Sequence, residues 1–299
     1  MNVLSLFDGM SCGQIALNRV GIKYDNYFAS EIDKWAIQVT QKNFPNTIQL
    51  GDVSKVDGDS LPTIDLLMGG SPCQSFSFAG KRKGMRTKDN VEIVNFDEYV
   101  KLKNEGFEFE GQSYLFWEYV RLLKTKKPKY FLLENVKMET KWKDIISDIL
   151  GVDPIFINSN MFSAQNRQRY YWTNIEVDEI KKQNQTTLKD IIDKDSKDLQ
   201  LTLKHHKGFL RSYAWKHSEL NQKSRPILAS YYKQPPHCPY IKSDLSESGF
   251  RRLSPLECER LQTVPDDYTF GVSNSQRYKM LGNGWTVDVI AHIFRGIKG

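Results

Sequence analysis

The sequence predicts an α/β protein with a doubly wound, mostly parallel sheet. Short β-rich runs alternate with longer helical ones up to about residue 175, which is the rhythm of βαβ units. Several of the β-rich runs end in Gly or an acidic residue, where a sheet of this kind collects its ligands. The chain has 299 residues, 39% of them hydrophobic and 26% charged, enough for one large domain with a substantial core plus a smaller appendage.

Val3–Phe7 reads as the first strand and Gly13–Val20 as a helix. Tyr27–Ser30 is a second strand, followed by a helix over Lys34–Asn43. A third strand ends at Gly51-Asp52-Val53, and Ile64–Met68 is a buried strand running into Gly69-Gly70. The polar insertion Gly80–Gln112 carries a short helix near Asp97–Glu105. Ser113–Leu123 is helical, Tyr130–Leu133 is a strand ending at Glu134, and Gln165 begins a strand through Trp172. Period-two alternation puts Gln165, Arg167 and Arg169 on one face of it. Glu176–Lys197 reads as a linker, and helix returns from Leu253 through Gln262 and over Thr286–Gly296. There are no internal repeats.

Net charge is +6. Between Leu199 and Ser243 stand Lys204, Lys207, Arg211, Lys216, Lys223, Arg225, Lys233 and Lys242 against the single acid Glu219, so this stretch holds essentially all the excess charge. A solvated lysine-rich face reads the same way. Interleaved Phe209, Tyr213, Trp215, Tyr231, Tyr232 and Tyr240 suit a surface that grips phosphates and touches bases. No apolar run is long enough to cross a membrane, and the N-terminus lacks the pattern of a signal peptide. Four cysteines without a Cys-x-x-Cys pair point to a reducing compartment, the cytoplasm. His205, His206, His217, His237 and Cys238 match no usual metal spacing, so no metal is expected. Cys12 and Cys258 are read as packing.

Three strand ends carry acids. Phe7-Asp8-Gly9-Met10-Ser11-Cys12-Gly13 is a glycine-bearing turn without the Lys-Ser/Thr of a phosphate loop. Glu31 lies 22 residues after Gly9, where an acid can accept from both ribose hydroxyls. Asp52 could accept from an adenine amino group. Such a set suits an adenosine bearing a sulfonium cation better than a pyrophosphate. Acids here also serve as helix caps.

Gly69-Gly70-Ser71-Pro72-Cys73-Gln74-Ser75 follows a buried strand. A lone cysteine is most often a small core hydrophobe, yet a rigid proline in a Gly-rich loop would expose and aim this thiol. Glu134-Asn135-Val136 ends the adjacent strand, so Glu134 is a candidate proton donor. A cysteine, a carboxylic acid and an arginine around a sulfonium methyl donor suit methyl transfer to carbon 5 of cytosine. That carbon is a poor nucleophile until a thiolate adds at carbon 6. Amino-group methylation needs no thiol and favours an Asn/Asp-Pro-Pro-aromatic motif instead.

Pro72-Cys73-Gln74, Glu134-Asn135-Val136, Gln165-x-Arg167-x-Arg169, Glu257-x-x-Arg260-Leu261-Gln262 with Pro265, and Gly282-Asn283 occur in that order. The ordered set resembles the cytosine-5 DNA methyltransferase family over nearly the whole chain outside roughly 178–250. The resemblance implies a Rossmann-like class I methyltransferase domain over 1–177 and 251–299, with an inserted target-recognition domain over 178–250. It implies Cys73 as nucleophile, Glu134 as partner of nitrogen 3 and the amino group, Arg167 at the flipped ring, and Arg169 in support. Phe7, Asp8, Gly9, Ser11, Glu31, Ile32, Asp52, Val53, Pro72, Asn283, Gly284 and Trp285 would hold S-adenosylmethionine. Asp8, where many members have Ala, and Gly284-Trp285-Thr286-Val287 are similar to the vertebrate de novo branch. The length favours a prokaryotic or phage enzyme.

The implied substrate is double-stranded DNA with its target base flipped out, bound by a monomer, with a cognate restriction endonuclease as a candidate partner. Gln74–Lys88 would form a mobile lid hinged at Gly80 and Gly84. In it Gln74, Ser75, Lys81, Arg82 and Lys83 are DNA-contact candidates, with Lys81, Arg82, Lys83, Arg86 and Lys88 meeting phosphates. Arg211 and Arg225 are candidate major-groove readers. The rival readings are an RNA (tRNA) cytosine-5 methyltransferase and a catalytically inactive DNA-binding paralogue.

Overall fold

The computed structural model describes residues 1–72, 87–89, 91–109, 111–181, 184–193, 207–208, 210–212, 215–244 and 246–298. Seven strands form one sheet: β1 Asn2–Leu6, β2 Asn26–Ser30, β3 Ile48–Gln49, β4 Leu66–Gly70, β5 Tyr130–Val136, β6 Ile155–Asn158 and β7 Gln168–Thr173. Their order is β3-β2-β1-β4-β5-β7-β6. All neighbours pair in parallel except β7, which is antiparallel to both β5 and β6. The chain therefore runs outward from β1 through β2 to β3, then restarts at β4 on the other side of β1. That reversal opens a crevice at the carboxyl ends of β1 and β4, where doubly wound sheets bind ligands.

The central strands β1, β4 and β5 are buried on both faces. Val3, Leu66, Met68, Leu132 and Tyr171 enter one apolar cluster, while Leu4, Leu6, Leu67, Phe131, Leu133 and Trp172 enter the other. Helices α1 (Cys12–Arg19) and α2 (Lys34–Asn43) contribute to the first cluster. Helices α3 (Phe96–Asn104), α4 (Phe116–Lys126) and α5 (Thr140–Leu150) belong to the second. The short α6 is Leu188–Ile191, and the chain closes with α7 (Pro255–Leu261), α8 (Asn274–Asn283) and α9 (Val287–Phe294). Ser254 and Glu257 form a capping box with Pro255 in the first turn of α7, so that boundary is encoded locally. Helix α9 has its buried face against α1, which closes the first cluster.

Three expectations change. The strand expected from Gln165 starts at Gln168, because the preceding residues pair elsewhere: Gln165 bridges Ser224, and Asn166 N donates to Ser224 O at 2.9 Å. Only Arg169 of the three expected to share a face lies in the strand. The expected linker is instead docked. Leu188 and Ile191 of α6 are buried in the first cluster, and Thr187 with Asp190 makes a capping box.

The aromatics of the basic segment divide. Tyr231 and Tyr240 are fully buried against Leu253, Tyr278 and Leu281, and Trp215 packs edge-on to Phe250. Tyr232 remains exposed, while Phe209 and Tyr213 lie outside the described residues. Among the cations, Lys223 is half-buried, donating to Ser163 O at 2.9 Å and Asn184 O at 2.7 Å. The two-stranded ribbon of β8 (Tyr240–Lys242) and β9 (Phe250–Arg252) completes this part of the chain. No described helix is long and apolar enough to cross a membrane.

Candidate active site

A cleft of about 470 Å³ opens along the carboxyl edge of the sheet and joins the ends of β1, β2, β4 and β5 to the turn between α8 and α9. Its first wall is the turn after β1. Phe7, Gly9 and Ser11 all have left-handed backbone, at φ 57°, 58° and 64°. The glycine takes this conformation without strain; the other two are held in it by their surroundings. Asp8 N donates to Ser30 O at 3.2 Å, and Gly9 N donates to Glu31 Oε2 at 2.8 Å. The ends of β1 and β2 are thereby locked together.

The acids differ in how they are held. Glu31 Oε1 accepts from the Ile32 and Asp33 amides at 2.7 and 2.8 Å. Asp33, not Glu31, caps α2 through Trp35 N. Asp52 accepts from Ser54 N and Ser54 Oγ, both on Oδ1, and these bonds hold its carboxyl below the usual carboxylate range. Asp8 accepts from the Tyr27 hydroxyl on Oδ1 at 2.7 Å, whereas its buried Oδ2 has no hydrogen-bond partner among the described residues. Burial pushes the Asp8 carboxyl up to about 6, and the nearby Glu31 charge adds to the rise. Cys12 also lines the cleft, but burial pushes its thiol up to about 12. It stays protonated at neutral pH and is no nucleophile.

The other end of the cleft is built from β5, β7 and the α8–α9 turn. Glu134 is 9% exposed. Its Oε1 pairs with Arg169 Nε at 2.7 Å and its Oε2 accepts from Trp285 Nε1 at 3.2 Å. Arg167 is 4% exposed and donates to the carbonyls of Ile227, Gly282 and Gly284 at 3.0–3.2 Å. Its guanidinium thus knits the cleft to the C-terminal turn while still lining the cavity. Asn135 donates to Ser71 O and Ser71 Oγ, which fixes the chain as it leaves β4. Ser71 and Pro72 are on the cleft wall.

Of the residues expected at a cofactor, Phe7, Asp8, Gly9, Glu31, Ile32, Asp52, Val53, Pro72, Asn283, Gly284 and Trp285 line the cleft. Ser11 is not on that wall: it is fully buried and accepts from Gln14 Nε2 at 2.8 Å. Glu134, Arg167 and Arg169 line the same cleft. Cys73, Gln74, Ser75, Lys81, Arg82 and Lys83 lie outside the described residues, as does nearly all of the expected lid. Arg211 is exposed, Arg225 is half-buried, and neither lines the cleft. Sequence reasoning missed Lys279, whose Nζ bonds Asp33 Oδ2 at 2.6 Å, as well as Gln112 and Leu115 on the wall. Only their three-dimensional neighbours mark them. No cluster of potential metal ligands occurs among the described residues.

A seven-stranded sheet of this order with one reversed strand defines a Rossmann-type methyltransferase fold. The chain belongs to the C-5 cytosine-specific DNA methylase family, whose model matches residues 1–299. It is 32% identical over 282 residues to the orphan methyltransferase M.SPRI of Bacillus phage SPR, covering 88% of this chain and 57% of that protein. It is also 32% identical over 249 residues to the orphan methyltransferase M.Rho11sI of Bacillus phage rho11s, covering 77% of this chain and 44% of that one. The chain thus spans about half the length of these relatives. The crystal structure of S. pombe Dnmt2 methyltransferase matches with a TM-score of 0.73 at 15% identity, covering 99% of this chain and 98% of that one; this likeness concerns the fold.

Proposed function

We propose that the protein is an S-adenosylmethionine-dependent methyltransferase acting on carbon 5 of cytosine in double-stranded DNA. The observation that carries this is a single cleft with two chemically different ends, in a chain of this family. One end holds Asp8, Glu31 and Asp52; the other holds Glu134, Arg167, Arg169 and Pro72. The acidic end fits the cofactor. Asp8 Oδ2 is a buried acceptor with no partner among the described residues, Glu31 and Asp52 are tethered acceptors, and Ile32 is a 71% exposed apolar side chain on the wall. Glu31 would hold the ribose hydroxyls, Asp52 the adenine amino group, and Phe7, Gly9, Val53, Pro72, Asn283, Gly284 and Trp285 the remaining surface. When bound, S-adenosylmethionine supplies an electrophilic methyl group. Three acids on this wall, beside a turn that lacks the Lys-Ser/Thr of a phosphate loop, argue against a pyrophosphate ligand.

At the other end, Cys73 would bond to carbon 6 of a flipped cytosine. Glu134 would hold the proton at nitrogen 3, which moves the ring electrons onto carbon 5. Arg167 would stabilise the ring at its 2-oxo group, and Arg169 would keep the Glu134 carboxylate in place. Loss of the carbon 5 proton then expels the thiol. Residues 1–177 and 251–299 would form the catalytic part and 178–250 the target-recognition part, with Arg211 and Arg225 toward the DNA. The phage relatives support action inside a bacterial or phage-infected cell.

The test is transfer of a labelled methyl group to duplex DNA and to tRNA, assayed side by side. We expect labelling of DNA, its loss in Cys73→Ala with DNA binding retained, and a covalent adduct on DNA carrying 5-fluorocytosine. Labelling of tRNA alone, or turnover by Cys73→Ala, would overturn this reading.

A further inference from the structure

We infer that Trp285 is a positioning residue for Glu134, not solely a wall of the cofactor cleft. The inference rests on the proposed role of Glu134. Its sequence context suggests only a cofactor contact for Trp285, but the indole N–H is spent on Glu134 Oε2 at 3.2 Å. The opposite oxygen, Oε1, is held by Arg169 Nε at 2.7 Å. Two donors on two oxygens fix both the position and the rotation of the carboxylate plane, which one donor alone cannot do. The slot for this contact is provided by Gly70 at the end of β4. A Cβ there would lie 3.0 Å from Trp285 Nε1 and 3.1 Å from Glu134 Oε2.

The same turn also holds the second group proposed to meet the base. Arg167 Nη2 donates to Gly282 O and Gly284 O, each at 3.0 Å, and Gln262 Nε2 donates to Gly284 O at 3.1 Å. Residues 282–285 therefore form a clamp that orients the carboxylate through a side chain and the guanidinium through backbone carbonyls. A residue that only walls the cofactor has no need of a bond to Glu134.

Exchange of the carbon 5 hydrogen in the absence of any methyl donor separates the two roles. The Cys73 thiolate adds to carbon 6 and the ring electron pair is taken up as nitrogen 3 is protonated. Carbon 5 then takes a proton from solvent, loses its original tritium to solvent, and the thiol leaves. This sequence needs Glu134 but no cofactor. Tritium release from DNA carrying [5-³H]cytosine is measured for the wild type and Trp285→Phe, with S-adenosylmethionine affinity measured by calorimetry. Loss of one hydrogen bond to a charged group predicts release slowed about tenfold, with cofactor affinity changed by no more than about threefold, because the phenyl ring preserves the apolar wall.

Gly70→Ala, whose methyl group enters the slot from the other side, should reproduce the exchange defect in a protein that keeps Trp285. Thermal unfolding of both variants identifies a simple folding failure, in which case the remaining variant decides. Unchanged tritium release with weakened cofactor affinity would overturn the inference. Failure of the wild type both to release tritium and to methylate DNA would instead bring down the proposed function, and this inference with it.

Discussion

Arg169 and Glu134 meet across antiparallel strands, Nε to Oε1 at 2.7 Å, although they are not direct partners in the ladder. Glu134 is opposite Tyr171 and Arg169 is opposite Val136, so the pair is a diagonal one that a long side chain can span. Both are largely buried, with side chains 17% and 11% exposed. Removing one partner leaves a poorly solvated charge behind, and that costs more than the pair itself contributes. Arg169→Met should therefore lower stability by about 2 kcal/mol and lower methyl transfer much further, because Glu134 loses one of its two anchors. Urea unfolding and single-turnover rates measure these separately. A variant of unchanged rate would show that the pair is structural only.

The buried Asp8 makes the empty and loaded protein respond oppositely to pH. Its carboxyl is raised from 3.8 to about 6, mainly by burial. The folded protein thus holds a proton that the unfolded chain releases between those values, and stability falls as pH rises through that window, then levels off. The cost above pH 6 is about 3 kcal/mol. Asp8→Asn keeps an oxygen for the Tyr27 hydroxyl and removes the charge, so it should melt higher than wild type at pH 8 and converge with it near pH 4. A difference that is constant with pH would exclude ionisation of Asp8 as the cause. The charged and titratable groups around it are Glu31, Tyr27, Tyr24, Tyr268 and Cys12. A cationic ligand favours the ionised carboxylate, so S-adenosylmethionine should bind more tightly as pH rises through 6 in the wild type and show less of this dependence in Asp8→Asn.

Much of this site is written in local pattern. The helix expected over Lys34–Asn43 is the one observed, because a capping Asp and an amphipathic run suffice to define it. Glu134 and Phe7-Asp8-Gly9 stand out because a polar residue ending an apolar strand has few other uses. The Trp285–Glu134 bond is not legible, since it joins residues 151 positions apart. Helix α8 escapes for a related reason: its buried positions include Arg277, which pairs with Glu259 at 3.0 Å, so apolar periodicity is weak there. Tyr231 and Tyr240 show the converse error. Aromatics among lysines read as a binding surface, yet the rings of these two fill the core. Composition reports what a segment contains, not which way it faces.

Glu118 should tie the insertion to the cofactor wall. It is fully buried in α4 and is bound by Tyr99 and Lys103 of α3 and by Arg121 Nε at 2.7 Å. Arg121 Nη2 in turn donates to Val53 O at 3.0 Å, beside Asp52. Glu118→Leu would leave two cations and a hydroxyl without their common acceptor, at a cost of about 3 kcal/mol. We expect protease cleavage within 96–104 to accelerate and S-adenosylmethionine affinity to fall together. Faster cleavage with unchanged affinity would mean that the network holds α3 alone.

Gly282 is the most tightly packed of the glycines that line the cleft. A Cβ there would lie 2.2 Å from the Leu228 carbonyl carbon and 2.3 Å from Ala229 N, distances that no rotamer change relieves because both atoms are backbone. Its carbonyl also accepts from Arg167 Nη2, and Ile227 O, one residue before Leu228, accepts from Nη1 of the same guanidinium. Pushing the two segments apart must therefore loosen Arg167 at both ends. Gly282→Ala should cost about 3 kcal/mol through overpacking and should lower the methyl-transfer rate even at a temperature where the variant is fully folded. Arg167→Lys provides the comparison: it keeps the charge but cannot serve three carbonyls with one planar fork, so it should match Gly282→Ala in rate while losing less stability. If Gly282→Ala, once folded, turned over like the wild type, close approach at this glycine would serve packing without serving the arginine.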